Sequence, residues 1–597
     1  MTFVWPNGDL NDEQVDAITT PGNVFLTACP GSGKTRALTY KAALELSRLP
    51  TSKQRVVAIT YTHRAAEEVH ERIEALGVET ERLWIGTIHS FCIDWILRPY
   101  GIYHPALRHG FRVIDAHETE RRLAEHCRAL HNGVRPFDCS YSYTTAGCEL
   151  RDTHGRSQQA VRNVLNRYWA DLEAQRQIDF EMILHFAHEL IATVPSIAIL
   201  LSQLFRFILV DEYQDTKEIQ YGIIAHIMRA GAGRTNAFLV GDANQAIFGS
   251  LGGYAITCEQ FAEDCHAPFT PKCLSINYRS STRIVDYFAN YNVVPAAMSA
   301  QGKNRLFASV ISYDHTTPSR NLEAELVRLL RYNIETLGIS PREICVIAPQ
   351  WVALADITRR LVVAMPEYRF DGPGIAPFAR NIDNFFYKVA RLALTEPSPQ
   401  LFIRRLRWAG DIILELERAG VHLRGVAPRG LLSMCNAIEV DEEDGLSYLR
   451  HFFDEFLTGF GIVLADYPTL ANHHDTFFGD SEARLNRLQE DGLQGISDIG
   501  MFRRVFATRS GITISTIHNV KGAEFDSVIA FALLQGMVPH FGDLQVETAK
   551  KLMYVICSRA RKNLHLISET GRMNRGGPYL PTEILAGYAF NYDDVPR

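Results

Sequence analysis

Residues 28–35 read ACPGSGKT, directly after the apolar run Val24, Phe25, Leu26 and directly before a helix-compatible stretch from Thr35 to Leu49. A strand, a glycine-rich loop and a helix start in that order make a phosphate cradle, in which backbone N–H groups and the positive end of the helix dipole face an anion. In such a loop Lys34 reaches the β- and γ-phosphates and the Thr35 hydroxyl holds Mg²⁺. The GxxxxGK[ST] pattern has glycine where this chain has Ala28, but Gly31 and Gly33, flanking Ser32, keep a permissive backbone where phosphate must come close. The stretch therefore predicts a nucleoside triphosphate site formed by Ala28, Cys29, Pro30, Gly31, Ser32, Gly33, Lys34 and Thr35.

A chain of 597 residues exceeds one hydrophobic core, so several domains are expected. With 46% hydrophobic and 22% charged residues it has the balance of a globular protein, and neither a membrane span nor a disordered tail is indicated. The start, MTFVWPNGDLNDEQ, has no basic segment followed by an apolar core. Eleven cysteines are scattered without a CxxC pair, and Cys258, Cys265 and Cys273 lack zinc-ligand spacing; reduced thiols in a cytoplasmic protein are the expectation. The net charge of −7 neither requires nor excludes nucleic acid, because a basic groove can sit on an acidic body.

Apolar, β-branched runs recur and end in polar or glycine-rich turns: VVAIT at 56–60, FILV at 207–210, FLV at 238–240, ICVIA at 344–348, ITIST at 512–516 and SVIAFALL at 527–534. Helical patterns such as Ala65 to Leu76 and Leu322 to Leu337 lie between many of them, which predicts α/β architecture with parallel sheets covered by helices. Two such cores are expected. Residues 96–179 and 377–505 break the rhythm, are mainly helical in pattern, and read as inserts within the cores. The boundaries are then 1–95 with 180–275 for the first core, and 276–376 with 506–597 for the second.

The run FILVDEYQDT at 207–216 is a buried strand that delivers Asp211 and Glu212 at its C-terminal end, the edge where ligands sit in open parallel sheets. Asp211 is expected to hold Mg²⁺, and Glu212 to orient or deprotonate the attacking water. The next strand gives FLVGDANQAIFG, whose Gln245 is placed to sense the γ-phosphate.

Taken together these motifs resemble the UvrD/Rep-like group of superfamily 1 helicases. LNDEQ at 10–14 resembles the adenine-reading Gln motif, ACPGSGKTR the Walker A motif, AITYTHRAAEEV at 58–69 motif Ia, and GTIHSF at 86–91 motif Ib. VDEYQDT resembles Walker B, VGDANQAIFG motif III, LSINYRSS at 274–281 motif IV, STIHNVKGAEFDSV at 515–528 motif V, and MYVICSRARKNL at 553–564 motif VI. The order along the chain is the family's own. The resemblance implies two RecA-like cores, 1A and 2A, with inserts 1B and 2B, ATP between the cores, and 3′ to 5′ movement on single-stranded or partly duplex DNA.

Residue roles follow from the same resemblance. Gln14 reads the adenine edge, with Arg36 and the Tyr278 ring near the base; Arg279 and Arg559, on the second core, reach the γ-phosphate; Glu524 contacts the ribose beside Gly522. Tyr61, Thr62, Arg64, Thr87, His89 and His518 sit where the family touches the DNA strand. Aromatic stacking and phosphate contacts of this kind suit sequence-independent gripping.

The chain departs from the family at Ser250 and Leu251, where a bulky aromatic and an arginine are usual, and at VIAPQ (346–350), which lacks the usual arginine-bearing strand end. The first departure leaves open an ATPase switch, regulated by DNA or a partner, with little unwinding. The short inserts and the close of the chain soon after motif VI resemble the helicase subunit of Gabija-type anti-phage systems, which implies a separate nuclease as partner.

Overall fold

The computed structural model describes residues 3–596 except 115, 132, 152–154, 250–251, 373–375, 380, 382–383, 400, 424, 491–495, 507–510, 544 and 575–576. Ser250 and Leu251 therefore lie outside the described residues, as does the side chain of Arg64. The chain divides into two compact units, Met1–Ser309 with Gly542–Lys562, and Val310–Phe541 with Asn563–Arg597.

The first unit is built on six parallel strands: β1 (Val24–Ala28), β2 (Arg55–Thr60), β3 (Leu83–Thr87), β4 (Phe205–Asp211), β5 (Asn236–Gly241) and β6 (Thr270–Leu274), in the spatial order β6-β1-β5-β4-β2-β3. The central strands are covered on both faces, so they read as unbroken apolar runs rather than alternating ones. In β4 every residue except Arg206 is buried. Helix α1 (Asp12–Thr19) opens on a capping box in which the Asn11 side chain accepts from the Gln14 N–H and the Gln14 side chain accepts from the Asn11 N–H. Helix α2 (Lys34–Ser47) follows β1 and buries Lys41 completely; the Lys41 ammonium donates to the carbonyls of Ile18 and Thr20, each at 3.0 Å, and pairs with Glu45. Helix α3 (His63–Ala75) follows β2.

Between β3 and β4 the chain is less purely helical than its pattern suggests. Four long helices, Ala116–Leu130, Gln158–Ala174, Phe180–Thr193 and Pro195–Leu204, are accompanied by an antiparallel hairpin, Tyr141–Thr144 with Gly147–Leu150, and a two-residue parallel pair, Arg112–Val113 with Gln177–Ile178. These strands are too short for their alternation to stand out from the helical background. The buried Asp179 ties the region together, capping the helix Phe180–Thr193 through the Met182 N–H and accepting from both Tyr141 and Tyr168 hydroxyls.

The other six-stranded sheet consists of β7 (Ile311–Asp314), β8 (Ile344–Ala348), β9 (Phe370–Asp371), β10 (Ile512–Thr516), β11 (Phe525–Ala530) and β12 (Ala560–Ile567), ordered β7-β12-β11-β8-β10-β9, and lies in the second unit from Asn563 of β12 onward and throughout its other strands. Strand β11 ends at Ala530, short of the 534 that the apolar run predicts. The helical pattern from Leu322 is an α-helix to Arg331 and then a π-helical turn, Tyr332–Thr336. Between β9 and β10 six helices from Phe385 to Arg504 pack around a separate aromatic core that includes Phe378, Phe386, Phe453, Phe477 and Phe502. Among the described residues no single helix is long and apolar enough to cross a membrane, and no group of histidine, cysteine and acidic side chains is arranged to hold a metal. The eleven cysteines are free thiols.

Candidate nucleotide site on the edge of the first sheet

In a parallel sheet all strands end on the same edge, so neighbouring strands place their following loops side by side. Along the first sheet this edge carries, in order, residues 275–281 after β6, the phosphate loop after β1, residues 242–248 after β5, 211–215 after β4, 61–64 after β2 and 88–91 after β3. The register is close: Ala28 lies beside Leu274, Thr27 beside Gly241, Val240 beside Asp211, and Thr60 beside Thr87. Four adjacent loops thus hold Lys34, Asp211, Glu212, Gln245 and Arg279, and the next two hold Tyr61, Thr62, Thr87 and His89.

The phosphate loop is held from both sides. Gly31 and Gly33 have φ of +69° and +85°, the left-handed region. Gln14 Nε2 donates to the Ser32 carbonyl at 2.9 Å, and a Cβ on Gly33 would stand 2.6 Å from that nitrogen. On the other side Asn277 Nδ2 donates to the Pro30 carbonyl at 2.7 Å and the Tyr278 N–H to the Gly31 carbonyl at 3.0 Å. Tyr278, partly exposed, accepts from Asn11 Nδ2 at 2.7 Å, and Arg36 donates to the Asp9 carbonyl at 3.0 Å. Cys29 is buried, which pushes its thiol up to about 12.

Asp211 is buried at the end of β4. Burial, with Glu212 beside it, raises its carboxyl to about 7, against the opposing pull of the Lys34 charge. Glu212 occupies the left-handed region at φ 51°, a strained placement for a residue with a side chain, and accepts from Gln214 Nε2 at 2.5 Å. Gln214 in turn accepts from the Asp242 N–H at 2.9 Å, joining the loops after β4 and β5. Thr35 and Asp211 are oxygen donors of the kind that suits Mg²⁺, and a cation there would offset the cost of keeping the buried Asp211 ionised.

Arg279 and Arg559 group with Lys34 in the first compact unit. The cause is local: the segment 277–279 is hydrogen-bonded to the phosphate loop, Arg279 Nη1 donates to the Ser558 carbonyl at 2.9 Å, and Ser280 Oγ donates to the Ala560 carbonyl at 2.6 Å. Helix α4 (Val546–Cys557) delivers Arg559, whose guanidinium is buried and donates to Gln245 Oε1 at 3.0 Å. His518, Gly522 and Glu524 belong to the loop between β10 and β11 of the second unit, where Gly522 has φ +82°.

Of the residues after β2 and β3, Tyr61 is half exposed and stacks on Phe248, with centroids 5.2 Å apart and planes 27° off parallel. Phe248 lies within the quoted stretch FLVGDANQAIFG, yet nothing in the sequence singles it out; its partner comes from a strand two places away in the sheet. The Thr62 and Thr87 hydroxyls each cap a helix, accepting from the N–H groups of Ala65 and Ser90. Burial, with Lys217 and His63 nearby, lowers His89 to about 4, so its ring is neutral at physiological pH. A cavity of about 60 Å³ lies among Thr60, Tyr61, Thr87, His89, Asp211 and Gln220, between the two groups of loops. Asp242, also buried, accepts from Gln245 Nε2 at 2.7 Å.

The family profile described as UvrD/REP helicase N-terminal domain matches residues 10–266, and that described as UvrD-like helicase C-terminal domain matches residues 500–571, together more than half of the chain. The chain belongs to the UvrD/Rep helicase family. It is 23% identical to the ATP-dependent DNA helicase PcrA of Staphylococcus aureus over 649 residues, covering 96% of this chain and 86% of that protein. It is 24% identical to the ATP-dependent DNA helicase UvrD1 of Mycobacterium bovis and of Mycobacterium tuberculosis over 659 residues, covering 96% of this chain and 84% of each relative.

Proposed function

We propose that the chain is a DNA-stimulated ATP hydrolase that uses turnover to move 3′ to 5′ on single-stranded DNA and to separate duplex. The observation that carries this reading is the single sheet edge on which a phosphate loop, two acidic residues, a glutamine and an arginine come from four neighbouring strands, with Phe248 in the same set of loops stacked on Tyr61 from the strand beside them. Lys34 and the loop N–H groups grip the triphosphate, Glu212 orients the attacking water and takes its proton, and Arg279 and Arg559 stabilise charge that develops on the phosphate oxygens. Thr35 and Asp211 would hold Mg²⁺, which would supply charge neutralisation there. Tyr61 and Phe248 offer a ring surface to bases. Gln14, Arg36 and Tyr278 take the adenine.

Residues 96–179 and 377–505 are the inserts 1B and 2B in this reading. A nuclease partner and a defence role rest only on the short inserts, and co-purification of a nuclease with the full chain tests them. The central experiment is strand displacement on duplexes with a 3′ or a 5′ single-stranded tail. ATP-dependent release from the 3′-tailed substrate is expected. ATP hydrolysis on DNA without release of the complementary strand would replace the helicase reading with that of a switch.

A further inference from the structure

A glutamine amide is nearly symmetric in shape but not in chemistry: one end donates and the other accepts, and only its neighbours decide which way round it sits. Gln245 is buried between two neighbours of opposite character. The Asp242 carboxylate accepts from Nε2 at 2.7 Å, and the Arg559 guanidinium donates to Oε1 at 3.0 Å. With both in place a single orientation of the amide satisfies every group.

The Asp242 oxygen that faces Gln245 has a second donor. Tyr554 Oη lies 3.2 Å from the same Oδ2, while Oδ1 is taken by the Asn244 N–H at 3.0 Å. Tyr554 has no solvent exposure, sits on α4 one turn before Arg559, and packs edge-on against Phe288 with centroids 5.3 Å apart. Arg559 Nε donates back to the Val555 carbonyl at 3.1 Å, so the helix end that presents the guanidinium also presents the tyrosine. Sequence places these residues more than 300 positions apart from Asp242; the first unit brings them together.

We propose that Tyr554 is a positioning residue for hydrolysis: its hydroxyl steadies the Asp242 carboxylate, which holds the Gln245 amide with its carbonyl oxygen toward Arg559. Without that hydroxyl, Asp242 Oδ2 keeps one donor and can swing away from Gln245, and the amide loses the partner that distinguishes its two ends. The effect falls on turnover rather than on ATP capture, because the phosphate loop has its own supports in Gln14 and Asn277. The inference rests on the proposed ATP hydrolysis.

The test is steady-state ATP hydrolysis by the full chain on single-stranded DNA, for Tyr554→Phe, Gln245→Ala and the double variant, each with its melting temperature measured. Tyr554→Phe is expected to lower kcat about five- to tenfold, the worth of one lost hydrogen bond, with KM for ATP within twofold of wild type. In the Gln245→Ala background the same change is expected to do nothing further, because its effect passes through Gln245. Multiplicative losses in the double variant, or a folded Tyr554→Phe with unchanged kcat, would overturn the role of Tyr554. Full turnover by Lys34→Ala would instead overturn the ATP-site reading beneath it.

Discussion

Replacing Gly31 by alanine separates two costs that a glycine in a phosphate loop can hide. The first is conformational: at φ +69° an alanine pays about 1–2 kcal/mol for the left-handed region. The second is crowding, since the new Cβ would stand 2.6 Å from Arg279 Cβ and 3.3 Å from both Arg279 N and Asn277 Nδ2. Backbone cannot give way as a flexible side-chain tip can, so the segment 277–279 must retreat. Two hydrogen bonds then stretch, Asn277 to the Pro30 carbonyl and Tyr278 to the Gly31 carbonyl, at about 1 kcal/mol each. Gly31→Ala should therefore cost roughly 3–4 kcal/mol. Gly77 has φ +73° with nothing within 4 Å of its virtual Cβ, so Gly77→Ala should cost only the conformational part, about 1–2 kcal/mol. Scanning calorimetry reads both, using the transition that added nucleotide moves upward. Equal costs at the two positions would refute the claim that motif IV residues are seated on the phosphate loop.

Tyr61→Ala and Phe248→Ala should each weaken single-stranded DNA binding by about 1–3 kcal/mol while leaving the slope of log K against log salt unchanged, because they remove stacking and no phosphate contact; fluorescence titration at several salt concentrations checks both. His565 is fully buried, with Ser312 Oγ 2.8 Å from Nδ1 and Asn333 Nδ2 3.0 Å from Nε2, and burial, with Arg328 adding, lowers it to about 3. The unfolded chain takes up this proton below the usual 6.5 and the folded chain does not, so stability is complete above pH 6.5 and falls toward pH 3. Between pH 6.5 and 5 the second unit should lose about 2 kcal/mol through this group, and His565→Gln should flatten that part of the stability profile.

Much of the fold could be read from the chain because buried parallel strands leave unbroken apolar runs: ICVIA at 344–348 and ITIST at 512–516 are strands over those same residues. The phosphate loop and the DE pair were equally legible, since each is a local string whose chemistry needs its members adjacent. What escaped was set by packing between distant segments. Asp242, Phe248 and Tyr554 acquire partners only when β5 lies beside β4 and α4 returns to the first unit, and spacing along the chain carries no trace of either. Arg279 illustrates the same point: NYRS gives its type, whereas its seat beside Gly31 depends on Asn277 reaching the Pro30 carbonyl. The hairpin at 141–150 was lost for a different reason, as four-residue strands give too few alternations to detect.

The claim that this sheet edge hydrolyses ATP in response to DNA is met most directly by phosphate release from the full chain, with and without single-stranded DNA, for wild type and Glu212→Gln. Wild type should turn over faster on DNA, and Glu212→Gln should lose about 10²- to 10⁴-fold in kcat on DNA while still binding nucleotide. Turnover by Glu212→Gln at the wild-type rate, or a wild-type rate indifferent to DNA, would contradict it.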